Sequence, residues 1–230
     1  MREPREGCAP SRRRFESELA TGDRLLSRSV LIATGVCDRL PDIDGLDACY
    51  GISVHHCPYC DGWEERDRAL AVIGQGASGA GLALSLKTWS DRVMLCTSGR
   101  ARLGATHRAQ LEAHGIPVVE HPIDRLDHDN GCVRRLIVRG GDSIPCDAIF
   151  LSTGQTQQSD LARRLGCELT RKGTVKTDHL GHTHIPGLYV VGDASRDVQF
   201  VIVAAAEGAK AAVAINKALQ AQAGLAPART

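Results

Sequence analysis

At 230 residues and 43% apolar side chains, the chain is long enough for one large or two small domains with a real core. Its 28 basic and 27 acidic side chains nearly cancel and aromatic residues make up 3%, which excludes an electrostatic footprint for nucleic acid, an anionic membrane surface or a base-stacking platform. The longest apolar stretch, Phe200 to Ala206, ends at Glu207 and falls short of the ~20 residues that a spanning helix needs. The first residues run from Met1 through Arg12-Arg13-Arg14 with no apolar h-region, so a secretory leader is not expected and a cytoplasmic location is. In that compartment an odd count of nine cysteines reads as thiols rather than a disulfide framework. Cys8, Cys37, Cys49, Cys96, Cys132, Cys146 and Cys167 stand singly and read as small core or surface residues.

In chain order, Phe15 to Leu19, a Thr21-Gly22-Asp23 turn and Ser29 to Ala33 predict a short β-meander whose last strand is buried and ends at Thr34-Gly35. Ala69 to Ile73 is a continuous apolar run, as expected of a central parallel strand covered on both faces, and it leads into Gly74-Gln75-Gly76-Ala77-Ser78-Gly79. Leu82, Leu86 and Trp89 then fall on one helical stripe ending near Ser90-Asp91, and Arg92 to Cys96 predicts the next strand. This βαβ context turns a weak glycine pattern into a dinucleotide-binding one. Further on, His107 to His114 predicts a helix, and Pro117 to Val119, Val133 to Val138 and Asp147 to Leu151 predict strands, the last followed by Thr153-Gly154. Two apolar strands each ending in Thr-Gly point to two related nucleotide-binding lobes. Gly187 to Asp193 reads as a strand into a glycine turn, and a helix from about Val201 to Gln222 places Ile202, Ala206, Ala209 and Val213 on one face.

Two motifs carry chemistry. In Cys57-Pro58-Tyr59-Cys60-Asp61-Gly62, a helix start supplies one thiol that attacks a disulfide and a second that resolves the product, with His56 adjacent to assist when protonated. Half of a zinc site using His55 or His56 is the alternative, but no second CxxC or HxxxH completes a tetrahedral set. Cys-Pro-Tyr-Cys is also the glutaredoxin motif, although here a glycine turn follows it. In that turn Gly74 makes the tight bend, Gly76 lets backbone approach a pyrophosphate and Gly79 allows close helix packing, with Ser78 between them. About twenty residues further on, where a carboxylate would grip the ribose of NAD, the chain has Thr97, Ser98, Arg100 and Arg102, which favours NADP(H). A solvated loop is the alternative for the two arginines. Together the motifs suit an enzyme that moves a hydride from a nicotinamide to a disulfide.

Taken in order and spacing, Leu31 to Gly35, Cys57 to Gly62, Gly74 to Gly79 and Gly192-Asp193 ahead of an Ala-rich helix resemble the low-molecular-weight thioredoxin reductase family. The resemblance implies an α/β protein of two Rossmann-like, three-layer lobes, with the nicotinamide lobe (43–154) inserted in a discontinuous FAD lobe (1–42 and 155–230). It implies FAD and NADP(H) as cofactors, thioredoxin or a similar protein disulfide as partner, and a homodimer. By the same resemblance Cys60 faces the flavin, Cys57 attacks the substrate and Asp61 is the acid/base. Thr34, Gly35, Gly154, Gly192, Asp193, Gln199 and Phe200 would lie along FAD, with Asp193 on the ribityl chain or, alternatively, capping a helix. Members of the family open on a strand and a GxGxxG turn for the ADP half of FAD, and no such turn precedes Phe15 here. The expectation is an FAD lobe lacking about a third of its sequence. A dithiol oxidase of the same fold and a non-catalytic remnant are the competing readings.

Overall fold

A computed structural model describes residues 15–195 and 198–225; the Arg12-Arg13-Arg14 run, the reading of a leader and Cys8 lie outside the described residues. The chain divides into two units, one made of the residues up to Cys37 and those from Gln155 on, the other of Asp38–Gly154. The first unit opens with β1 (Phe15–Glu18), β2 (Arg24–Ser27), β3 (Val30–Ile32) and β4 (Val36–Asp38). The second contains α1 (Leu46–Cys49), β5 (Val54–His55), α2 (Pro58–Asp61), β6 (Leu70–Gly74), α3 (Gly76–Leu86) and β7 (Val93–Cys96). It continues through α4 (Ala105–Ala113), β8 (Val118–Val119), β9 (Ile123–Asp129), β10 (Cys132–Val138), β11 (Ser143–Pro145) and β12 (Ala148–Ser152). The first unit resumes with β13 (Gln155–Gln157), α5 (Leu161–Arg164), β14 (Leu188–Val190), a 3-10 turn over Gly192–Ala194 and α6 (Val201–Gln222). No helix among the described residues is long and apolar enough to cross a membrane.

In the second unit, five parallel strands run in the order β5-β12-β6-β7-β8. Successive side chains leave a strand on opposite faces, so each strand feeds both layers. Ala71, Ile73, Cys96, Ile149 and Leu151 pack with Leu46 and Cys49 of α1 and with Leu126, Val133 and Leu136 of the β9-β10-β11 sheet. Leu70, Val72, Leu95, Ala148 and Phe150 pack on the other side against Ala80, Ala83 and Leu86 of α3 and Leu111 of α4. The layering is therefore helix, parallel sheet, antiparallel sheet. Of the antiparallel layer, sequence reading found only β10. β9 reads Ile-Asp-Arg-Leu-Asp-His-Asp and is paired with a register shift on either side of its centre, which breaks the two-residue alternation by which strands are recognised.

One buried hydroxyl ties the layers together. Ser53 Oγ donates to the Gly131 carbonyl at 2.6 Å and accepts from the Val133 N–H at 2.9 Å. Ser53→Ala leaves both backbone groups unsatisfied in a dry interior and should cost about 2 kcal/mol, read as a lower melting temperature with the fold retained. The thiols of Cys96 and Cys146 lie in the same core, and burial pushes both up to about 12 from an ordinary 9.0. The folded form thus holds protons that the unfolded chain releases. Their contribution to stability is intact below pH 9 and is lost as pH rises toward 12. Melting temperature should fall over that window, and Cys96→Ala should flatten the fall.

In the first unit, β1 and β2 form a hairpin closed by Leu19 N–H to the Asp23 carbonyl at 2.8 Å. The predicted meander stops there. β3 leaves the hairpin and pairs in parallel with β14, Leu31 opposite Tyr189, a long-range pairing invisible in local sequence. Ile32 is buried, whereas Leu31 is 38% exposed, so this strand, expected to be buried, is buried only in part. α6 turns outward the face that holds the four grouped apolar residues. Ile202, Ala206, Ala209 and Val213 are exposed, and the buried residue is Ala211. An Ala-rich helix offers little apolar contrast from face to face, so specific contacts choose its orientation. The Gly192 N–H donates to Glu207 Oε2 at 2.9 Å, and Ala204 and Ala211 lie over Gly192 and Gly181, where added Cβ atoms would come within 3.5 and 3.7 Å of theirs.

Candidate active site

The glycine turn joins the end of β6 to α3. Gly76 has a φ of +58°, in the left-handed region that favours glycine. A Cβ on Gly79 would sit 2.7 Å from the carbonyl carbon of Gly74, and one on Gly74 would sit 2.8 Å from Cβ of Ser152, so helix and turn touch backbone to backbone and the Ser152 side chain of β12 closes on the turn. Gln75 occupies the N-cap position of α3 without capping it; its Nε2 instead donates to the Thr97 carbonyl at 2.9 Å. The first amides of an eleven-residue helix are thus left without a side-chain cap at a glycine-lined cradle, which suits an anionic pyrophosphate. The exposed Ser78 shares a hydrogen bond with Ser152 at 2.6 Å across the turn. Sequence reading missed Ser152, which no local pattern marks.

The loop after β7 only partly matches the expected phosphate site. Thr97 is 1% exposed, and its hydroxyl donates to the carbonyls of Gly99 and Val119. Thr97 is therefore a structural residue of the loop and not a ligand to a 2′-phosphate. Ser98 Oγ accepts from the Ile123 N–H at 3.1 Å. Arg100 and Arg102 are exposed, and Arg102 has a φ of +53°, so these two remain the cationic groups of the loop.

The cysteine pair lies in the same unit, just beyond β5. Cys57 has extended backbone at the N-cap of α2, Pro58 fills the first helical position where a missing N–H costs nothing, and the Cys57 carbonyl accepts from Cys60 and Asp61 N–H, both at 3.2 Å. Gly62 ends the turn against Trp89, whose Cδ1 would be 2.6 Å from an added Cβ. Both thiols are free, Cys57 half-buried and Cys60 exposed. The Cys60 thiol is pushed up to about 12, first by burial of its sulfur and then by the hydrogen bond and charge of Cys57 and the charge of Asp61.

Two histidines precede the pair and point to different sets of partners. His56 Nδ1 lies 3.2 Å from the Tyr50 hydroxyl and 3.5 Å from Asp38 Oδ2, and the same hydroxyl donates to Asp38. His55 is buried, with Nδ1 3.5 Å from Asp61 Oδ1, Nε2 3.5 Å from Glu65 Oε1, and its ring 5.4 Å from that of Phe150. Asp38, Tyr50 and Glu65 were not singled out by sequence reading, because nothing in their spacing ties them to the cysteines. Among the described residues no group of three or more His, Cys, Asp or Glu side chains is arranged to hold a metal ion.

In the first unit Gly35 and Gly192 have φ of +70° and +67°, and Thr34 is exposed at the end of β3. Gly154, in the second unit, also has a positive φ of +83°. Asp193 is half-buried in the 3-10 turn and caps no helix, because the N-cap of α6 is Phe200. Gln199 and Gln155 exchange two side-chain hydrogen bonds, at 2.8 and 2.6 Å. The left-handed glycines, the Asp193 carboxylate and a 22-residue helix whose first turn has no side-chain cap fit the flavin end of FAD. Residues 15–225 hold one GxGxxG turn, and the second unit uses it.

The second unit thus places a glycine cradle at the mouth of the central βα turn of a parallel sheet and paired thiols at the start of α2. The family Pyridine nucleotide-disulphide oxidoreductase matches residues 5–208, and the chain belongs to it. It is 26% identical over 209 residues to a protein named a probable thioredoxin reductase from Arthroderma benhamiae, covering 80% of this chain and 52% of that protein. It is 30% identical over 209 residues to the F component of alkyl hydroperoxide reductase from Pseudomonas putida, covering 86% of this chain and 40% of that one. The crystal structure of HlmI superposes with a TM-score of 0.84 at 33% identity, over 91% of this chain and 66% of that chain. The chain thus spans about half or less of these two curated relatives.

Proposed function

We propose that the chain is a flavin-dependent disulfide reductase that takes electrons from NADPH and delivers them through the Cys57/Cys60 pair to thioredoxin or a similar protein disulfide. The observation that carries this reading is the placement of both thiols at the start of α2, beside Asp61, in the unit that also holds the glycine cradle. Gly74, Gly76, Gly79 and Ser78 would receive the pyrophosphate of NADP(H), and Arg100 and Arg102 its 2′-phosphate. Gly35, Gly192, Asp193 and the start of α6 would hold the flavin end of FAD, whose ring, when bound, relays reducing equivalents from nicotinamide to sulfur. Cys57 attacks the partner disulfide, Cys60 resolves the mixed disulfide, and Asp61 moves the proton that this requires. The half-buried Cys57 beside an exposed Tyr59 leaves an open face suited to a protein partner rather than an enclosed substrate.

The direct test is to purify the chain with FAD supplied, record its visible spectrum and follow NADPH oxidation with oxidised thioredoxin. Flavin absorption that stays with the protein and thioredoxin-dependent NADPH consumption are expected. A colourless protein after FAD loading, or turnover of dithiols with oxygen and no need for NADPH, would overturn the reading. Arg100→Glu together with Arg102→Glu should weaken NADPH binding by about tenfold or more and leave NADH binding nearly unchanged, as read by fluorescence titration.

A further inference from the structure

We propose that His55 is a positioning residue of the thiol site: with the half-buried Asp61 and the buried Glu65 it forms a proton-sharing chain that readies Asp61 to accept the proton of Cys60 during resolution of a mixed disulfide. The proposal rests on the reading of Cys57 and Cys60 as an exchanging pair.

Hydrogen-bond arithmetic constrains the ring. A neutral imidazole has one N–H and one bare lone pair. His55 faces a carboxylate from each ring nitrogen, Asp61 at Nδ1 and Glu65 at Nε2, both at 3.5 Å. A neutral ring can donate to only one of them, and its lone pair would then meet the other anion. Both contacts become favourable when the three groups share one further proton. The separations lie just outside normal hydrogen-bond range, within reach of a small turn of the ring. Nε2 is a buried nitrogen without a hydrogen-bond partner, a state that costs stability and calls for a use.

The surroundings fix the chain at its far end. Glu65 is 6% exposed, and its Oε2 accepts from Arg68 Nη1 at 2.8 Å, so this carboxylate is held in place. The charged groups facing the ring are Asp61 from α2 and Glu65 from the turn after it, with Arg68 behind Glu65. From β12 the ring meets the aromatic face of Phe150. For packing alone, an apolar side chain at position 55 would fill this space without an orphaned nitrogen.

The chemistry needs such a device. When Cys57 is joined to the partner, burial and the charge of Asp61 still push the Cys60 thiol up, so it holds its proton and needs a base before it can attack. In resolution, Cys57 is joined to the partner through an S–S bond. The Cys60 S–H bond breaks, its proton passes to Asp61, a Cys60–Cys57 S–S bond forms with the freed electron pair, and the partner sulfur leaves as a thiolate. Asp61 then gives that proton to His55 Nδ1, His55 gives its Nε2 proton to Glu65, and the departing thiolate takes one from water.

A coloured aromatic disulfide, 5,5′-dithiobis(2-nitrobenzoate), reads both steps on the reduced full chain without flavin. Cys8, Cys37 and Cys132 are first replaced by Ser to silence other thiols. The first equivalent of released thiolate reports attack by Cys57, and the second reports resolution by Cys60. In His55→Gln the first phase should stay within about twofold, while the second slows by about tenfold at pH 7 and its pH profile moves upward. Glu65→Gln should shift the same profile, and His55→Gln added to Asp61→Asn should slow the second phase no further. His55→Asn serves where His55→Gln lowers the melting temperature. An unchanged second phase and pH profile in these variants, or equal slowing of both phases, overturns the proposal and leaves the exchanging pair intact. Absence of a second phase in the unsubstituted pair overturns the reading on which the proposal rests, and the proposal with it.

Discussion

Cys57→Ser is expected to abolish turnover of a disulfide substrate, by on the order of a thousandfold or more, because the attacking sulfur is gone. Cys60→Ser is expected to abolish turnover equally but by a different route. There Cys57 still attacks, no neighbouring thiol displaces the partner, and the protein accumulates as a mixed disulfide. Intact-mass measurement after exposure to the substrate separates the two: an adduct on the Cys60→Ser chain and none at that site on the Cys57→Ser chain. Both side chains lie at the surface end of α2 and carry little packing, so the melting temperature should move little in either variant. Matching outcomes, both variants trapping substrate or neither, would undo the assignment of Cys57 as attacker and Cys60 as resolver.

Gly79→Ala should damage the nucleotide cradle and the fold together. The added Cβ would stand 2.7 Å from the Gly74 carbonyl carbon and 2.9 Å from its oxygen, atoms of a central strand that cannot turn aside. α3 must move off β6, which should cost about 1–3 kcal/mol and, at about 2–4 °C per kcal/mol for a chain of this size, a readily measured drop in melting temperature. The same displacement carries the first amides of α3 away from the pyrophosphate position, so NADPH binding should fall by more than about tenfold. Gly81→Ala, two residues along the same helix, is the matched control. Its Cβ meets nothing within 4 Å, and alanine favours a helix interior by about 1 kcal/mol over glycine, so that variant should melt at or above the parent temperature and bind nucleotide normally. Equal behaviour of the two variants would show that the approach of helix to strand does not matter.

The antiparallel layer and α6 show where local reading stops. β10 was legible because its apolar side chains are close together, whereas β9 carries acidic and basic residues on its open face and shifted register within its pairing. For α6 the length, the ends and the grouping of Ile202, Ala206, Ala209 and Val213 on one face were legible, but which face turns inward was not. The contact of Glu207 with the Gly192 amide, fifteen residues away, decided a choice that alanine side chains leave nearly degenerate.

By itself the amino-acid sequence determined the parts whose information is local: the β6-turn-α3 cradle, because only glycine permits its close approaches, and the thiol pair at the start of α2, because CxxC with proline after the first cysteine predicts that short helix. Tertiary structure alone decided which polar groups surround those thiols. Asp38, Tyr50 and His56 form one set and His55, Asp61 and Glu65 another, with residues as much as eighteen positions apart converging on one short segment. It also withdrew Thr97 from the nucleotide loop by turning its hydroxyl inward to two backbone carbonyls. The physical reason is the same in each case: a hydroxyl, imidazole or carboxylate takes its role from the partner it meets across space, and the energy of that meeting has no period along the chain.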